Sequence, residues 1–327
     1  LDMTAFAKCR VQGPGALKFL NWIFAQRMPV AHGKLALCHG LTSKGGVHSE
    51  FTIQRESKDS FYMVSAGANH RLDHDWLKKH MPTDGSVQFT DLTNSMGVLV
   101  LAGPKSRDIL QPITGANLSN ECFPWLTGQE THVGYAPVKL LRVNFVGELG
   151  WEIHHPIEYQ NHIFDSLFKH GDKHGLKPFG IRAMNSMRLE KSYRLVGTEM
   201  SIEYSAYESG LHRFVNLKKK NGFLGKDALL EWEKRGFDNA FVTLEVMDVN
   251  DADVIGNNPI YKNNEVVGRA TSGGYGWRMN KSLALGMVHP DQSKVGNDLS
   301  IEILGKRYKC KVLNDSPHDP ENEKLRS

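Results

Sequence analysis

The strongest constraint on the fold of this chain is a change of character near residue 238. Before it, helical and strand patterns alternate; after it, short strand patterns follow one another, separated by turns such as Lys262-Asn263-Asn264. Strands that succeed each other without helices close into a small barrel or sandwich. We therefore predict an α+β chain that divides into residues 1–237 and an all-β module over residues 238–327.

Periodicity predicts the elements of the first part. Strand patterns surround a Ser-Lys-Gly-Gly turn at 43–46, so residues 35–65 should form an antiparallel meander. Further strands are expected at 87–93 and 96–103, and a hairpin over 138–156 with Gly147 at its turn. Apolar residues at helical spacing predict helices over residues 15–28, 68–81, 104–113, 159–175, 180–195 and 226–236.

Composition excludes several classes of protein. The 327 residues are 40% hydrophobic and 23% charged, as in a folded globular chain, and the net charge of +4 is not gathered into a basic stripe for nucleic acid. No apolar run reaches the ~18 residues of a membrane span. Four scattered cysteines are expected to be reduced thiols. We expect a soluble protein of the cytoplasm, or of the mitochondrial matrix in a eukaryote, and, because the sequence opens on Leu1, one cut from a longer chain.

A single carboxylate, Glu50, stands in the strand pattern VHSEFTIQ (residues 47–54). Because side chains alternate along a strand, Glu50 should share one face with Thr52, and Phe51 should lie on the other. The pattern alone is typical of a solvated face, and a catalytic carboxylate would need a cavity over it.

Two further stretches attract attention. Glu190, in SMRLEK, is expected near Arg188 on a helix, which by itself favours an ion pair over a ligand contact. The run GGYGWRM (residues 273–279) combines glycines with aromatic residues and is typical either of a binding loop or of a wide hairpin turn.

Known metal and nucleotide motifs are not found. The histidines between residues 154 and 174 are the densest group, but they lack a third ligand at suitable spacing, so we predict no metal site. Neither a P-loop nor the glycine fingerprint of a dinucleotide fold is present.

Six motifs, in one order, carry a resemblance over almost the whole chain. Together they resemble the tetrahydrofolate-binding fold of the glycine cleavage T protein (aminomethyltransferase), and above all the C-terminal folate part of dimethylglycine and sarcosine dehydrogenases. The motifs are FVGELGWEIH (145–154), MNSMRLEKSYR (184–194), YESGL (207–211), GFLGKDAL (222–229), TSGGY (271–275) and KSLALGMVHP (281–290).

The resemblance implies a three-unit cloverleaf aminomethyltransferase fold. Residues 1–237 would be the folate-binding domain, made of two interleaved α+β subdomains, and residues 238–327 the β-barrel module. The implied activity is transfer of a one-carbon unit at the formaldehyde level from a methylated amine to tetrahydrofolate, giving 5,10-methylenetetrahydrofolate. In the dehydrogenases an FAD domain oxidises that amine, and such a domain would here be missing or a separate partner.

The resemblance also implies roles for particular residues. Glu50 stands where the family has an acidic residue, usually Asp, beside the reacting folate nitrogens, and Glu190 stands where the family binds the pterin edge. Lys219 replaces an Arg near the glutamate tail of folate, as a point charge instead of a bidentate fork. The remaining expected folate contacts are Thr52, Tyr62, Val64 and Tyr275.

Two alternatives remain open. One is a free-standing aminomethyl or methyl transferase, such as the T protein itself or a folate-dependent demethylase. The other is a regulatory protein without catalysis, like the regulatory subunit of pyruvate dehydrogenase phosphatase, which shares the fold. The presence of both Glu50 and Glu190 favours an enzyme over a regulator.

Overall fold

Three β-sheets, each with its own apolar core, make up the chain, and the computed structural model describes all of residues 1–327. The predicted α+β class is confirmed. None of the helices has the length and apolar character that crossing a membrane requires.

The first sheet has five antiparallel strands in the order β2-β3-β4-β1-β5. It contains the predicted meander, because β2, β3 and β4 are neighbours. The strands are β1 (Ala7–Gln12), β2 (Leu35–Leu41), β3 (Val47–Arg55), β4 (Ser60–Ser65) and β5 (Gln88–Asp91).

The two faces of this sheet differ in chemistry. Phe51 and Ile53 point to one side, where they join the core that α1 (Ala16–Ile23) and α2 (His70–His80) also enter. Glu50 therefore points to the opposite side, toward the middle of the molecule. The alternation read from the sequence is thus present, but the second face is a polar layer inside the protein and not an open surface.

Helix α1 is shorter than predicted. It ends at Ile23 because Phe24 is extended and forms a β-bridge with Gly40, and the Ala25 N–H donates to the carbonyl of His39. The chain after the helix is thus tied to β2, and this long-range pairing overrides the helical spacing between residues 24 and 28.

The second sheet has four strands in the order β6-β9-β8-β7. Helices α3 (Ser106–Leu110) and α4 (Gln160–Gly171) cover one face, where they share an apolar core with strand residues such as Trp151. The predicted hairpin is present, with Gly147 in its loop at φ 71°. The strands are β6 (Met96–Ala102), β7 (Gly128–Val133), β8 (Ala136–Leu141) and β9 (Gly150–Pro156).

The third sheet is a closed barrel of six strands in the order β10-β13-β12-β11-β14-β15. Pairing of the first strand with the last closes it. The strand run predicted beyond residue 238 is therefore a barrel, whereas the exact boundary between residues 237 and 238 stays a prediction. The strands are β10 (Ala240–Val246), β11 (Pro259–Lys262), β12 (Glu265–Gly276), β13 (Lys281–Val288), β14 (Asp298–Ile303) and β15 (Lys306–Leu313).

Three helices remain: α5 (Ile181–Glu190), α6 (Lys226–Arg235) and α7 (Glu323–Arg326). Helix α5 ends at Glu190, five residues earlier than predicted, because Ser192 adopts a left-handed conformation with φ 55°. This ending places the Glu190 side chain in the last turn of the helix, where it meets the barrel.

The C-terminal segment (residues 314–327) leaves the barrel and crosses to the second sheet. On the way Lys191 Nζ donates to the carbonyls of His318, at 3.0 Å, and Asp319. At its end Arg142 Nη2 donates to the carbonyls of Arg326 and Ser327, at 3.2 and 3.0 Å. The segment therefore connects α5, the barrel and the second sheet.

Candidate active site

Glu50 is held by a histidine on the neighbouring strand. His39 Nε2 lies 2.9 Å from Glu50 Oε2, and His39 is buried whereas 22% of the Glu50 side chain is exposed. The imidazole therefore orients the carboxylate and leaves its second oxygen, Oε1, without a protein partner. A partly exposed carboxylate fixed in this way can accept a proton or stabilise a positive charge on a bound molecule.

The sheet register explains this pair. His39 and Glu50 are directly opposed in the β2–β3 ladder, and the His39 ring packs against Phe214 with a centroid distance of 5.0 Å. The sequence reasoning missed His39, although counting outward from the predicted turn and allowing the one-residue bulge at Gly40 would have placed it opposite Glu50.

Three other predicted contacts share the face of Glu50. Thr52 is opposite Val64 in the ladder, and Tyr62 follows on the same side. Thr52 remains half-buried, whereas Val64 and Tyr62 are buried. The Tyr62 hydroxyl lies 3.0 Å from Nδ1 of His154 on the second sheet, and burial raises the phenol pKa well above its usual value.

Charged groups beside Tyr62 join the two sheets. Glu56 accepts hydrogen bonds from Arg10 Nε at 2.7 Å and from Lys139 Nζ at 2.5 Å. Burial alone would raise the pKa of Glu56, but the bonds from these two cations and from Ser60 outweigh it and hold the pKa at about 2. Since Lys139 belongs to β8, this cluster ties the first sheet to the second.

Glu190 is fully buried at the end of α5 and is enclosed by the loop between β12 and β13. Its Oε1 accepts the main-chain N–H groups of Arg278, at 2.7 Å, and Met279, at 3.2 Å, while Arg278 Nε donates to Oε2. The helix that presents it is anchored in turn by the buried pair of Arg188 and Glu199.

Arg278 is the main partner of Glu190, and the sequence reasoning did not identify it. Its Nη1 donates to Glu148 Oε1 at 2.7 Å and to the Val146 carbonyl at 3.0 Å, and Nη2 donates to the Met187 carbonyl at 2.9 Å. Four of the five guanidinium N–H groups are thus used and one remains. The sequence feature that could have pointed to Arg278 is that it is the only charged residue within GGYGWRM.

The last two predicted contacts lie in different places. Tyr275 lies near the end of β12, three residues before Arg278; its carbonyl accepts the Ser186 hydroxyl at 2.6 Å, and its ring packs edge-on against Trp277, which is 74% exposed. Lys219 instead donates to the carbonyls of Phe24 and Gln26 at 2.7 and 3.0 Å, and burial lowers its pKa to about 8.

The predicted site residues therefore lie in two groups, and Lys219 lies apart from both. Glu50, Thr52, Tyr62 and Val64 share the inner face of the first sheet, Glu190 and Tyr275 meet where α5 joins the barrel, and no hydrogen bond links the groups. Oε1 of Glu50 has no protein partner and suits the reacting nitrogens of tetrahydrofolate. Glu190 and Arg278 have the chemistry that a pterin edge requires, with its N–H donors and carbonyl acceptor, but here they are bonded to each other and Glu190 is fully buried.

Comparison with known proteins agrees with the fold. A family model described as the GCVT N-terminal domain matches residues 1–219, and one described as the glycine cleavage T-protein C-terminal barrel domain matches residues 239–319. Among solved structures, the glycine cleavage system aminomethyltransferase T of Bartonella henselae superposes with a TM-score of 0.86 at 23% identity, covering 98% of this chain and 86% of that one.

Relatives of known name include human mitochondrial dimethylglycine dehydrogenase, 34% identical over 96% of this chain and 36% of its own length. The mouse regulatory subunit of mitochondrial pyruvate dehydrogenase phosphatase is 28% identical over 95% of this chain and 38% of its own. The chain thus spans little more than a third of these relatives. The expected aminomethyltransferase-type fold is confirmed, and the chain belongs to the glycine cleavage T-protein family.

Proposed function

We propose that this chain is a tetrahydrofolate-dependent one-carbon transferase module. The observation that carries the proposal is Glu50: a carboxylate on the inner face of a sheet, partly exposed, fixed by His39 and with one oxygen free. The free oxygen of such a carboxylate can accept a proton from a bound molecule.

Tetrahydrofolate, when bound, would supply the nitrogen nucleophiles that take up a one-carbon unit. Toward it, Glu50 would accept a proton at Oε1 and stabilise nearby positive charge, while His39 keeps the carboxylate in place. Thr52, Tyr62 and Val64 would line the same side. Glu190, with Arg278, and Tyr275 would hold the pterin end, and Lys219 would lie toward the tail.

We further propose that the one-carbon unit comes from a methylated amine, such as dimethylglycine or sarcosine, oxidised by an FAD-containing part that is not in this sequence. The dehydrogenase relative supports this, because its name gives such an amine as substrate and two thirds of its length lie outside the matched region. That relative is named as mitochondrial, and we propose a mitochondrial matrix location if the chain comes from a eukaryote and a cytoplasmic one otherwise.

Anaerobic titration calorimetry with tetrahydrofolate tests the proposal. We expect saturable binding, followed on addition of formaldehyde by faster formation of 5,10-methylenetetrahydrofolate, read by absorbance, than without protein. The variant Glu130→Gln, at a carboxylate that is 76% exposed on β7, should behave as the wild type. A folded chain that gives no heat of binding would contradict the proposal.

One observation favours a second candidate, a regulatory subunit without catalysis. Glu190 is buried and its charge is matched by Arg278, so its carboxylate is not open to a ligand without movement of that arginine. The phosphatase regulatory subunit among the relatives belongs to this class by name. Absence of folate binding in a chain that unfolds cooperatively would favour this candidate.

A further inference from the structure

Two histidines and an aspartate converge where α2 passes the edge strand β5. His70 and His74 lie one turn apart on α2, and their rings pack with centroids 4.3 Å apart. Asp91 ends β5, and its Oδ2 lies 3.0 Å from His70 Nε2 and 3.5 Å from His74 Nδ1. The three ligand atoms all lie within 4.8 Å of one another.

Ligand bonds of about 2.0–2.2 Å in a tetrahedron put neighbouring donor atoms roughly 3.3–3.6 Å apart. The separations of Asp91 Oδ2 from His70 Nε2, 3.0 Å, and from His74 Nδ1, 3.5 Å, lie close to that spacing. Asp91 is already oriented for such a role, because its other oxygen, Oδ1, accepts the Thr93 N–H at 2.9 Å. The Thr93 hydroxyl lies 3.2 Å from His70 Nε2 and adds an oxygen beside the cluster.

The types of ligand select the class of ion. Two imidazoles and one carboxylate suit Zn²⁺, Co²⁺ or Ni²⁺, whereas Mg²⁺ and Ca²⁺ prefer oxygen ligands throughout. His74 is buried and provides a fixed ligand, while the side chains of His70 and Asp91, 36% and 44% exposed, leave a path from solvent. Two lysines place positive charge near the site and oppose binding of the ion: Lys78, whose ammonium lies above the Phe89 ring that His74 also contacts, and Lys8, whose ammonium interacts electrostatically with Asp91.

We propose that His70, His74 and Asp91 form a binding site for a divalent transition-metal ion, with Zn²⁺ the best match. Three protein ligands leave one coordination position for water. The ion would tie α2 to the edge strand of the first sheet. The prediction of no metal site rested on the histidines between residues 154 and 174 and left out this helical pair. The proposal rests on these three residues and is independent of the proposed folate chemistry.

Binding of Co²⁺ and Zn²⁺ to the chelator-treated full chain tests the site. We expect one Co²⁺ per chain, with the visible absorption of a tetrahedral ion, displaced by Zn²⁺, and a melting temperature that rises with Zn²⁺ concentration. His70→Ala and Asp91→Asn change exposed side chains and should leave the fold intact, yet each should weaken binding by about tenfold or more.

His170→Ala/His174→Ala is the matched control, because these histidines are also four residues apart but have no carboxylate in reach. This double variant should bind as the wild type does. Failure of the wild type to bind Co²⁺ or Zn²⁺ would overturn the proposal. Equal affinity in His70→Ala and the wild type would also overturn it, because the ion would then lie elsewhere.

Discussion

At the scale of single residues, Glu50 offers a clean test because Gln keeps its shape and its bond to His39. The amide oxygen of Glu50→Gln can still accept the imidazole N–H, but the side chain can no longer take a proton. We expect folate affinity close to the wild type and a rate of methylene transfer lower by about 10²-fold or more. Stopped-flow absorbance of the product, beside calorimetry, measures both quantities.

The exposed change Glu130→Gln controls for loss of one negative charge from the chain. A Glu50→Gln variant with the full rate of transfer would remove Glu50 from the chemistry. A variant that loses binding and rate together would assign Glu50 to binding instead.

Arg278 provides a second test, of stability. Replacement by Ala leaves two acidic groups, the buried Glu190 and the largely buried Glu148, without their cation. Removing one partner of a buried pair costs about 3–5 kcal/mol, so the free energy of unfolding should fall by that amount. Lys234→Ala, which breaks an exposed pair with Glu231, should leave the free energy of unfolding almost unchanged.

Urea denaturation of both variants gives the comparison. An Arg278→Ala chain as stable as Lys234→Ala would mean that Glu190 finds another partner or takes up a proton. In that case the pairing of Glu190 with Arg278 would not prevent a ligand from reaching the Glu190 carboxylate.

Sequence reasoning succeeded for the site where the chemistry is local. Strand alternation put Glu50, Thr52 and Tyr62 on one face, and the ladder register agrees. His39 is only 11 residues from Glu50 and was missed because its place opposite Glu50 depends on the bulge at Gly40. The reasoning failed for Arg278 because this residue acts across the fold, 88 residues from the Glu190 it contacts. A pairing of that separation leaves no periodic trace in the sequence.

At the scale of elements, the predictions were accurate where one face of a helix or strand is apolar. The meander, the hairpin and the barrel strands carry that signal, whereas β7, whose sequence GQETHV is mostly polar, was missed because it lies at the edge of its sheet. The end of α1 was misplaced because the β-bridge between Phe24 and Gly40 stops the helix, and the end of α5 was misplaced because Ser192 adopts a left-handed conformation.

The cluster around Glu56 joins two such elements and should make stability depend on pH. The pKa of Glu56 is about 2 in the folded chain and about 4.5 in the unfolded chain. The ionised side chain therefore stabilises the fold by about 3 kcal/mol above pH 4.5. This contribution is lost as the pH falls through 2. Glu56→Gln should therefore be less stable than the wild type at pH 7, by that amount, and the difference should narrow below pH 4.5.

Chemical denaturation between pH 7 and 3 follows the difference between the two chains. Glu130→Gln, at an exposed carboxylate 3.4 Å from the same Lys139, should show only a small difference across the range. A Glu56→Gln difference that does not change with pH would contradict the assignment of the low pKa to this cluster.

At the scale of the whole molecule, the C-terminal segment connects units that otherwise have separate cores. Deleting residues 314–327 leaves the buried Lys191 without both carbonyls that it binds, and leaves Arg142 with only the carbonyl of Phe123. We expect the free energy of unfolding to fall by about 3 kcal/mol or more, which for a chain of this size lowers the melting temperature by about 4 °C or more.

Calorimetry of the truncated chain measures the change. Adding Lys191→Met to the truncation removes the stranded ammonium and should recover part of the lost stability. A truncated chain with the same melting temperature as the wild type would show that the segment does not stabilise the fold.

The exposure of Trp277 has an optical consequence. Of the six tryptophans in the chain, this one is the most open to water, and it stands one residue before Arg278 in the loop that encloses Glu190. Its indole should fluoresce at the red edge of the emission band, and that component should disappear in Trp277→Phe. The emission wavelength of Trp277 should therefore shift when a molecule binds over the loop, so that binding can be followed without an added label.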